Sequence, residues 1–157
     1  MINVMREVPG NPSSSHAVGR KAKSLIENAR KTVANFMGVT AAEIIFTSGG
    51  TEAGNLVLNS AVRDLGVKHL ITSPIEHHAV LHIVEQLEKE YKDLKVSYVK
   101  IKECGSVDTL HLGQLLASTD DKTLVSLMHV NNEVGNILDV EGEHNPMDWW
   151  RIQRLSG

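Results

Sequence analysis

The chain has 157 residues, 41% of them hydrophobic and 22% charged, and 16 Lys+Arg against 19 Asp+Glu give a formal net charge of −3. That length fits about one domain with a sizeable core, and the charge supplies no field to collect nucleic acid or an acidic membrane surface. No run approaches the roughly 20 apolar residues of a membrane span, and the single cysteine, Cys104, excludes a disulfide within the chain and a cysteine-based zinc site.

Residues 1–10 carry Arg6, Glu7 and Pro9 and lack an apolar signal core, so the cytosol is the expected compartment. Val18, Ala22, Leu25, Ile26, Ala29, Val33, Phe36 and Met37 then recur at steps of three and four. This period predicts an amphipathic helix, stopped by Gly38. Thr40 and Glu43 have capping-box spacing. Ile44-Ile45-Phe46-Thr47 is β-branched and aromatic and reads as a buried strand, broken by Ser48-Gly49-Gly50. Leu56, Val57, Leu58, Ala61, Val62 and Leu65 suggest a helix ending at Gly66. Val67 to Thr72 reads as a strand, His77 to Tyr91 as a helix, and Lys95 to Ile101 as a strand. Asp108 can cap a helix carrying Leu110, Leu112, Leu115 and Leu116. Leu124 to Val130 is nearly continuous in apolar residues, which predicts a strand buried on both faces, Val125 and Leu127 included.

Strands alternating with helices imply βαβ units with right-handed crossovers, hence an α/β fold with a mainly parallel, doubly wound sheet. Ligands in such sheets sit beyond the carboxyl ends of the strands. Three of those ends carry polar or glycine-rich runs: Ser48-Gly49-Gly50-Thr51, Ser73-Pro74-Ile75-Glu76-His77 and Asn131-Asn132-Glu133. The segment from about Glu141 has no helical or strand period, yet it holds both tryptophans, Trp149 and Trp150.

The first polar end joins a strand to a helix through glycines. Unpaired N–H groups and the positive end of the helix dipole suit a phosphate monoester there, with the Ser48 and Thr51 hydroxyls as further donors. A plain strand–turn–helix corner with Thr51 as N-cap explains the same residues. His78 and His82, four apart, have the spacing of two metal ligands, but no third is evident, and exposed helix histidines account for them. His77 differs, because at a strand end its imidazole can stack on a flat ring or shuttle a proton. Asn131 and Asn132 can hydrogen-bond in a cleft or simply build a turn. Cys104, with only Lys102 nearby as a base, reads as incidental.

Gly10-Asn11-Pro12-Ser13-Ser14-Ser15-His16, Thr47-Ser48-Gly49-Gly50-Thr51-Glu52, Glu76-His77 and Met128-His129-Val130-Asn131-Asn132-Glu133-Val134-Gly135 occur in this order. Together they closely resemble the cysteine desulfurases, class V members of the fold-type I pyridoxal-phosphate enzymes. The resemblance runs from about Gly10 to Val140. It implies that residues 1–140 form part of the large domain of such a transferase, and that 141–157 are a non-family tail, with disorder left open. It implies that Gly50 and Thr51 hold the phosphate of pyridoxal 5'-phosphate. His77 would stack on the pyridine ring and assist proton transfer, as the one catalytic residue, and Asn132 would lie near the ring hydroxyl. The implied substrate is L-cysteine, giving alanine and an enzyme-bound persulfide, in a dimeric enzyme of sulfur metabolism.

The chain departs from that pattern in specific ways. The family's Schiff-base lysine follows a histidine, and no His-Lys pair occurs here. The pyridinium-pairing aspartate, its neighbouring glutamine and the sulfur-accepting cysteine lie beyond the resemblance, and Cys104 is not at that cysteine's position. Gly54 stands where relatives more often have Asn or Asp, and glycine in a helix costs up to about 1 kcal/mol against alanine. The expectation is a truncated desulfurase, inactive alone. It can bind the cofactor weakly, or not at all, and can pair with a second copy or an intact relative. A non-catalytic phosphate-binding or protein-interaction module is the alternative, and a histidine-based metal-binding domain is a third reading.

Overall fold

The computed structural model describes residues 2–139, so the expected tail with Trp149 and Trp150 lies outside the described residues. The chain divides into two compact units, Met1–Thr47 and the part from Ser48 onward. Among the described residues, no helix is long and apolar enough to cross a membrane.

The first unit is helical. A short helix, α1 (Ile2–Glu7), has no counterpart in the sequence reading. The expected amphipathic helix is α2 (Ala17–Met37), started by His16, whose Nδ1 accepts from the Gly19 N–H at 3.3 Å. It is stopped by Gly38 at φ 67°, a left-handed conformation that glycine adopts without a Cβ clash. Gly19 is required for a different reason. A Cβ there would collide with the carbonyl oxygens of Asn11 and Ser14, so the turn before the helix closes directly onto its backbone. A 3-10 turn (Ala41–Glu43) follows, with the Thr40 N–H donating to Glu43 Oε2 at 2.8 Å in the expected capping arrangement.

Residues 44–47 are not a strand, contrary to the sequence expectation. Ile45 and Phe46 are exposed, the Ile44 carbonyl accepts from the Arg30 guanidinium, and Arg30 lies 5.0 Å from the Phe46 ring centre. Strand propensity needs a neighbouring ladder to become a strand, and this segment's polar backbone is engaged by a side chain instead.

The second unit runs α3 (Gly50–Arg63), β1 (His69–Thr72), α4 (His78–Glu90), β2 (Lys95–Tyr98), α5 (Thr109–Ala117), β3 (Thr123–Val125). The strands form a parallel sheet in the order β2-β1-β3, with Leu70 opposite Val96 on one side and Leu124 on the other. The chain moves one way across the sheet through α4 and the other way through α5. Right-handed crossovers then place those helices on opposite faces. The core follows this division, because successive strand residues point to opposite faces. Leu70 packs with Leu58, Val62, Ile83, Val84 and Leu87 of α3 and α4. Ile71 packs with Val99, Val107 and Leu112 of the α5 side. Each fully buried Leu or Ile contributes about 1.5–3 kcal/mol. The doubly wound α/β architecture expected from the alternation is therefore present.

The strand buried on both faces is β1, not the Leu124–Val130 run. All four residues of β1 are buried, whereas β3 stops at Val125, and Val125 and Leu127 are only half-buried. The reason is position: β1 has a strand on each side, while β3 is an edge of the sheet. Beyond β3 the Ser126 N–H still donates to the Ile71 carbonyl at 2.9 Å, and the chain then leaves the sheet.

Candidate functional site

In a parallel α/β layer, a helix leading into a strand starts at the rim where the strands end, and so does a helix leaving a strand. Here α3 leads into β1 and α4 leaves it, so the two helix starts share one rim. They border an open cleft of about 400 Å³ lined by Gly50, Thr51, Gly54, His77, Ala79 and Ile83. Gly50, Thr51 and His77, singled out from the sequence, therefore come together.

The first turn of α3 has N–H groups with no partner inside the helix, and the positive end of the dipole lies behind them. Its N-cap is Gly49, so Thr51 stands inside the first turn and is not the cap. A Cβ built on Gly49 or Gly50 meets no atom within 4 Å. The backbone thus faces open space that an anion can enter. Ser48 is no longer a free donor, contrary to the sequence expectation. Its N–H and hydroxyl both donate to Glu52 Oε2 at 2.6 Å. The Ser48 hydroxyl, followed by its N–H, holds the Glu52 carboxyl below its usual range.

His77 is the N-cap of α4, with Nδ1 accepting from the Ala79 N–H at 3.2 Å. That role uses the Nδ1 lone pair, so a neutral ring carries its proton on Nε2. The His78 ring backs the His77 ring at 4.2 Å between centres and 35° between planes. His77 is exposed, which leaves ring surface for a flat ligand.

Two contacts tie the loop carrying His77 to the loop after β3. Glu76, 9% exposed, accepts at Oε1 from the Met128 N–H at 2.6 Å and from the Ser73 hydroxyl at 3.1 Å. Burial pushes its carboxyl upward, opposed by those two donors. Asn131, 5% exposed, donates from Nδ2 to the Ile75 carbonyl at 2.7 Å and accepts at Oδ1 from the Glu133 and Val134 N–H groups, both at 2.9 Å. Glu76 has no role of its own in the sequence reading, and of the two readings of Asn131, a cleft amide or a turn, its contacts to Glu133 and Val134 are those of the turn. Asn132 is exposed and outside the lining of the cleft.

The remaining candidates lie elsewhere. His78 and His82 are 6.0 Å apart between ring centres, and among the described residues no group of three or more His, Cys, Asp or Glu is placed to hold a metal. A wider hollow of about 570 Å³, lined by His82, Glu85, Gln86, Lys89 and Glu90, belongs to one face of α4 and gathers no second element. Cys104 is exposed, its thiol lowered first by the Ser106 hydroxyl, 3.1 Å away, and it does not line the cleft.

Comparison with known proteins gives this geometry a lineage. Residues 1–144 match the family described as Aminotransferase class-V. The chain is 41% identical over 139 residues to the cysteine desulfurase IscS of Dictyoglomus turgidum, covering 87% of this chain and 34% of that protein. It is 46% identical over 134 residues to the cysteine desulfurase IscS of Pseudomonas putida (strain F1), covering 83% and 32%. Among solved structures, a NifS-like protein superposes with a TM-score of 0.77 at 39% identity, covering 88% of this chain and 38% of that one. A structure of SspA in complex with cysteine gives 0.75 at 32% identity, covering 89% and 40%. The chain spans about a third of the length of the curated relatives it matches. With four motifs in order, a doubly wound parallel sheet and a match over residues 1–144, the chain belongs to the class-V aminotransferase family and is a homologue of its cysteine desulfurases.

Proposed function

We propose that this chain is the phosphate-side part of a cysteine desulfurase large domain, and that its cleft binds pyridoxal 5'-phosphate. The observation that carries this reading is the meeting of the α3 start and His77 in one cleft. A phosphate fits the first: open space beside Gly50, a helix dipole and the Thr51 side chain. A flat ring fits the second, with His77 exposed and backed by His78.

In this reading Gly50 and Thr51 hold the phosphate. His77 stacks on the ring and holds or delivers a proton at Nε2, the nitrogen not engaged by Ala79. Asn132 serves the ring hydroxyl by likeness to the family. The cofactor, when bound, supplies an electron sink for the substrate's Cα. The substrate class by the same likeness is L-cysteine, and one solved relative is described in complex with cysteine. The 157 residues contain no His-Lys pair, so the chain alone binds and orients but does not turn over L-cysteine. Pairing with a second copy or an intact relative belongs to the same reading, as does action in the cytosol.

Hydrogen bonds to a charged phosphate contribute about 1.5–3 kcal/mol each, and association itself costs several kcal/mol. Affinity is therefore expected in the range of roughly tens of micromolar to millimolar. The test is titration of the full chain with pyridoxal phosphate and, separately, with inorganic phosphate. Thr51→Ala weakens both ligands by about tenfold, the worth of one charged hydrogen bond, and His77→Ala weakens only the ring-bearing one. A parent that binds neither ligand overturns the reading. Binding of both ligands with no response to His77→Ala leaves a phosphate-binding module instead. Alanine release from L-cysteine above the rate with free pyridoxal phosphate overturns the claim that the chain does not turn over.

A further inference from the structure

The loop between β1 and α4 is short and exposed at His77, yet its preceding residue is buried. Glu76 reaches across to the backbone after β3, and its Oε1 takes both the Met128 N–H and the Ser73 hydroxyl. Asn131 reaches back the other way, onto the Ile75 carbonyl. The two contacts run in opposite directions between the same two loops and hold the two residues immediately before His77. Met128 N–H lies beyond the last paired residue of β3, so no sheet hydrogen bond holds it. Glutamate is the longer of the two acidic side chains, and its Oε1 meets that donor at 2.6 Å.

We propose that Glu76 is a positioning residue for His77: by reaching Met128 it fixes where the imidazole stands at the mouth of the cleft, and its reach rather than its charge is what matters. Glu76 does not line the cleft and touches no ligand in this scheme. It acts through the backbone, one residue upstream of the ring. The inference rests on the proposed use of His77 for its ligand readout, but its conformational readout needs no ligand.

Two variants separate reach from charge. Glu76→Gln removes the charge and keeps a carbonyl acceptor at the same distance along the side chain. Glu76→Asp keeps the charge and withdraws the acceptor by one methylene. Both are made in the full chain. The first measurement is the His77 ring resonance in a carbon-edited NMR spectrum without ligand. The second is the ratio of affinities for pyridoxal phosphate and inorganic phosphate. Glu76→Gln is expected to match the parent in both. Glu76→Asp is expected to shift the His77 resonance and lower the ratio by about tenfold, the scale of one lost hydrogen bond to a charged group, with phosphate affinity within about twofold of the parent because α3 is untouched. The proposal is overturned if Glu76→Asp matches the parent, or if Glu76→Gln shifts His77 as far as Glu76→Asp does. If the parent binds neither ligand, the functional reading fails, while the His77 resonance still decides the role of Glu76.

Discussion

Glu52 stands in the first turn of α3, beside the place proposed for a phosphate. Its carboxylate sits at the start of α3, where the helix dipole favours negative charge, and it takes both Ser48 donors. The group is fully exposed, so screening keeps its effect modest. Glu52→Gln removes a charge beside the anion and loosens the hold on Ser48. The expected result by calorimetry at pH 7 is inorganic phosphate bound about two- to fivefold more tightly, the scale of a surface charge interaction. Weaker binding in the variant would mean instead that Glu52 shapes the turn the anion requires. Because the folded carboxyl titrates below its usual range, the Ser48–Glu52 contact stabilises the helix start above the unfolded carboxylate's pKa. That contribution is lost as pH falls through the lower folded value. The motif around Ser48 suits an anion or a plain corner, but which donors are spent internally depends on a rotamer of Glu52, and spacing does not encode that. Asn131 and Asn132 make the same point. They are adjacent and identical in chemistry, yet the turn buries the first against Ile75 and leaves the second exposed.

β1 shows what an element adds to its residues. His69 is fully buried in the central strand, with Nε2 2.8 Å from the Ser97 hydroxyl and Nδ1 without a partner among the described residues. Burial lowers its pKa, Lys95 lowers it further, and Asp121 opposes them. The folded ring therefore stays neutral to lower pH than the unfolded one. Above the unfolded histidine value of about 6.5, both states are neutral and the full stability is present. Below it the unfolded chain takes up a proton first, and stability falls until pH reaches the lower folded value. Urea midpoints are expected to drop between pH 7.5 and 5.5 in the parent and to drop less in His69→Gln, which keeps a donor for Ser97 but does not titrate. Parallel curves for the two proteins would remove His69 from the acid response. The helices other than α1 were legible in the sequence because apolar period and stop signals are local: α2 ends at Gly38 as read. Strand position was not. Leu124–Val130 looks more apolar than His69-Leu70-Ile71-Thr72, yet the second run is central, because burial is set by what lies on either side. Ile44–Thr47 has strand composition but no partner strand among the described residues.

At the scale of the whole molecule, large apolar side chains stay at the surface: Phe36 is 90% exposed and Ile137 69%. The chain spans about a third of the length of its curated relatives. The four motifs carried the family because their order is a whole-chain property, unlike the rotamers that decide each hydrogen bond. The strand order β2-β1-β3 also has a consequence in time. β2 follows β1 through a single helix, while β3 arrives only after a second crossover, roughly twice as far along the chain. Doubling a loop adds only about 0.6 kcal/mol of closure entropy, but that cost falls before any contact repays it and so delays the later pairing. The β1–α4–β2 unit is therefore expected to assemble first and β3 to dock last. Since Glu76 and Asn131 clasp the His77 loop only through the segment after β3, the cleft matures at the end of folding. Pulsed hydrogen exchange during refolding should show the Val99 amide, which donates to the Thr72 carbonyl at 2.8 Å, protected before that of Met128; the reverse order would place the clasp in the nucleus. A nascent chain ending before residue 128 would carry every residue that lines the cleft, and neither of the two contacts that clasp its histidine loop.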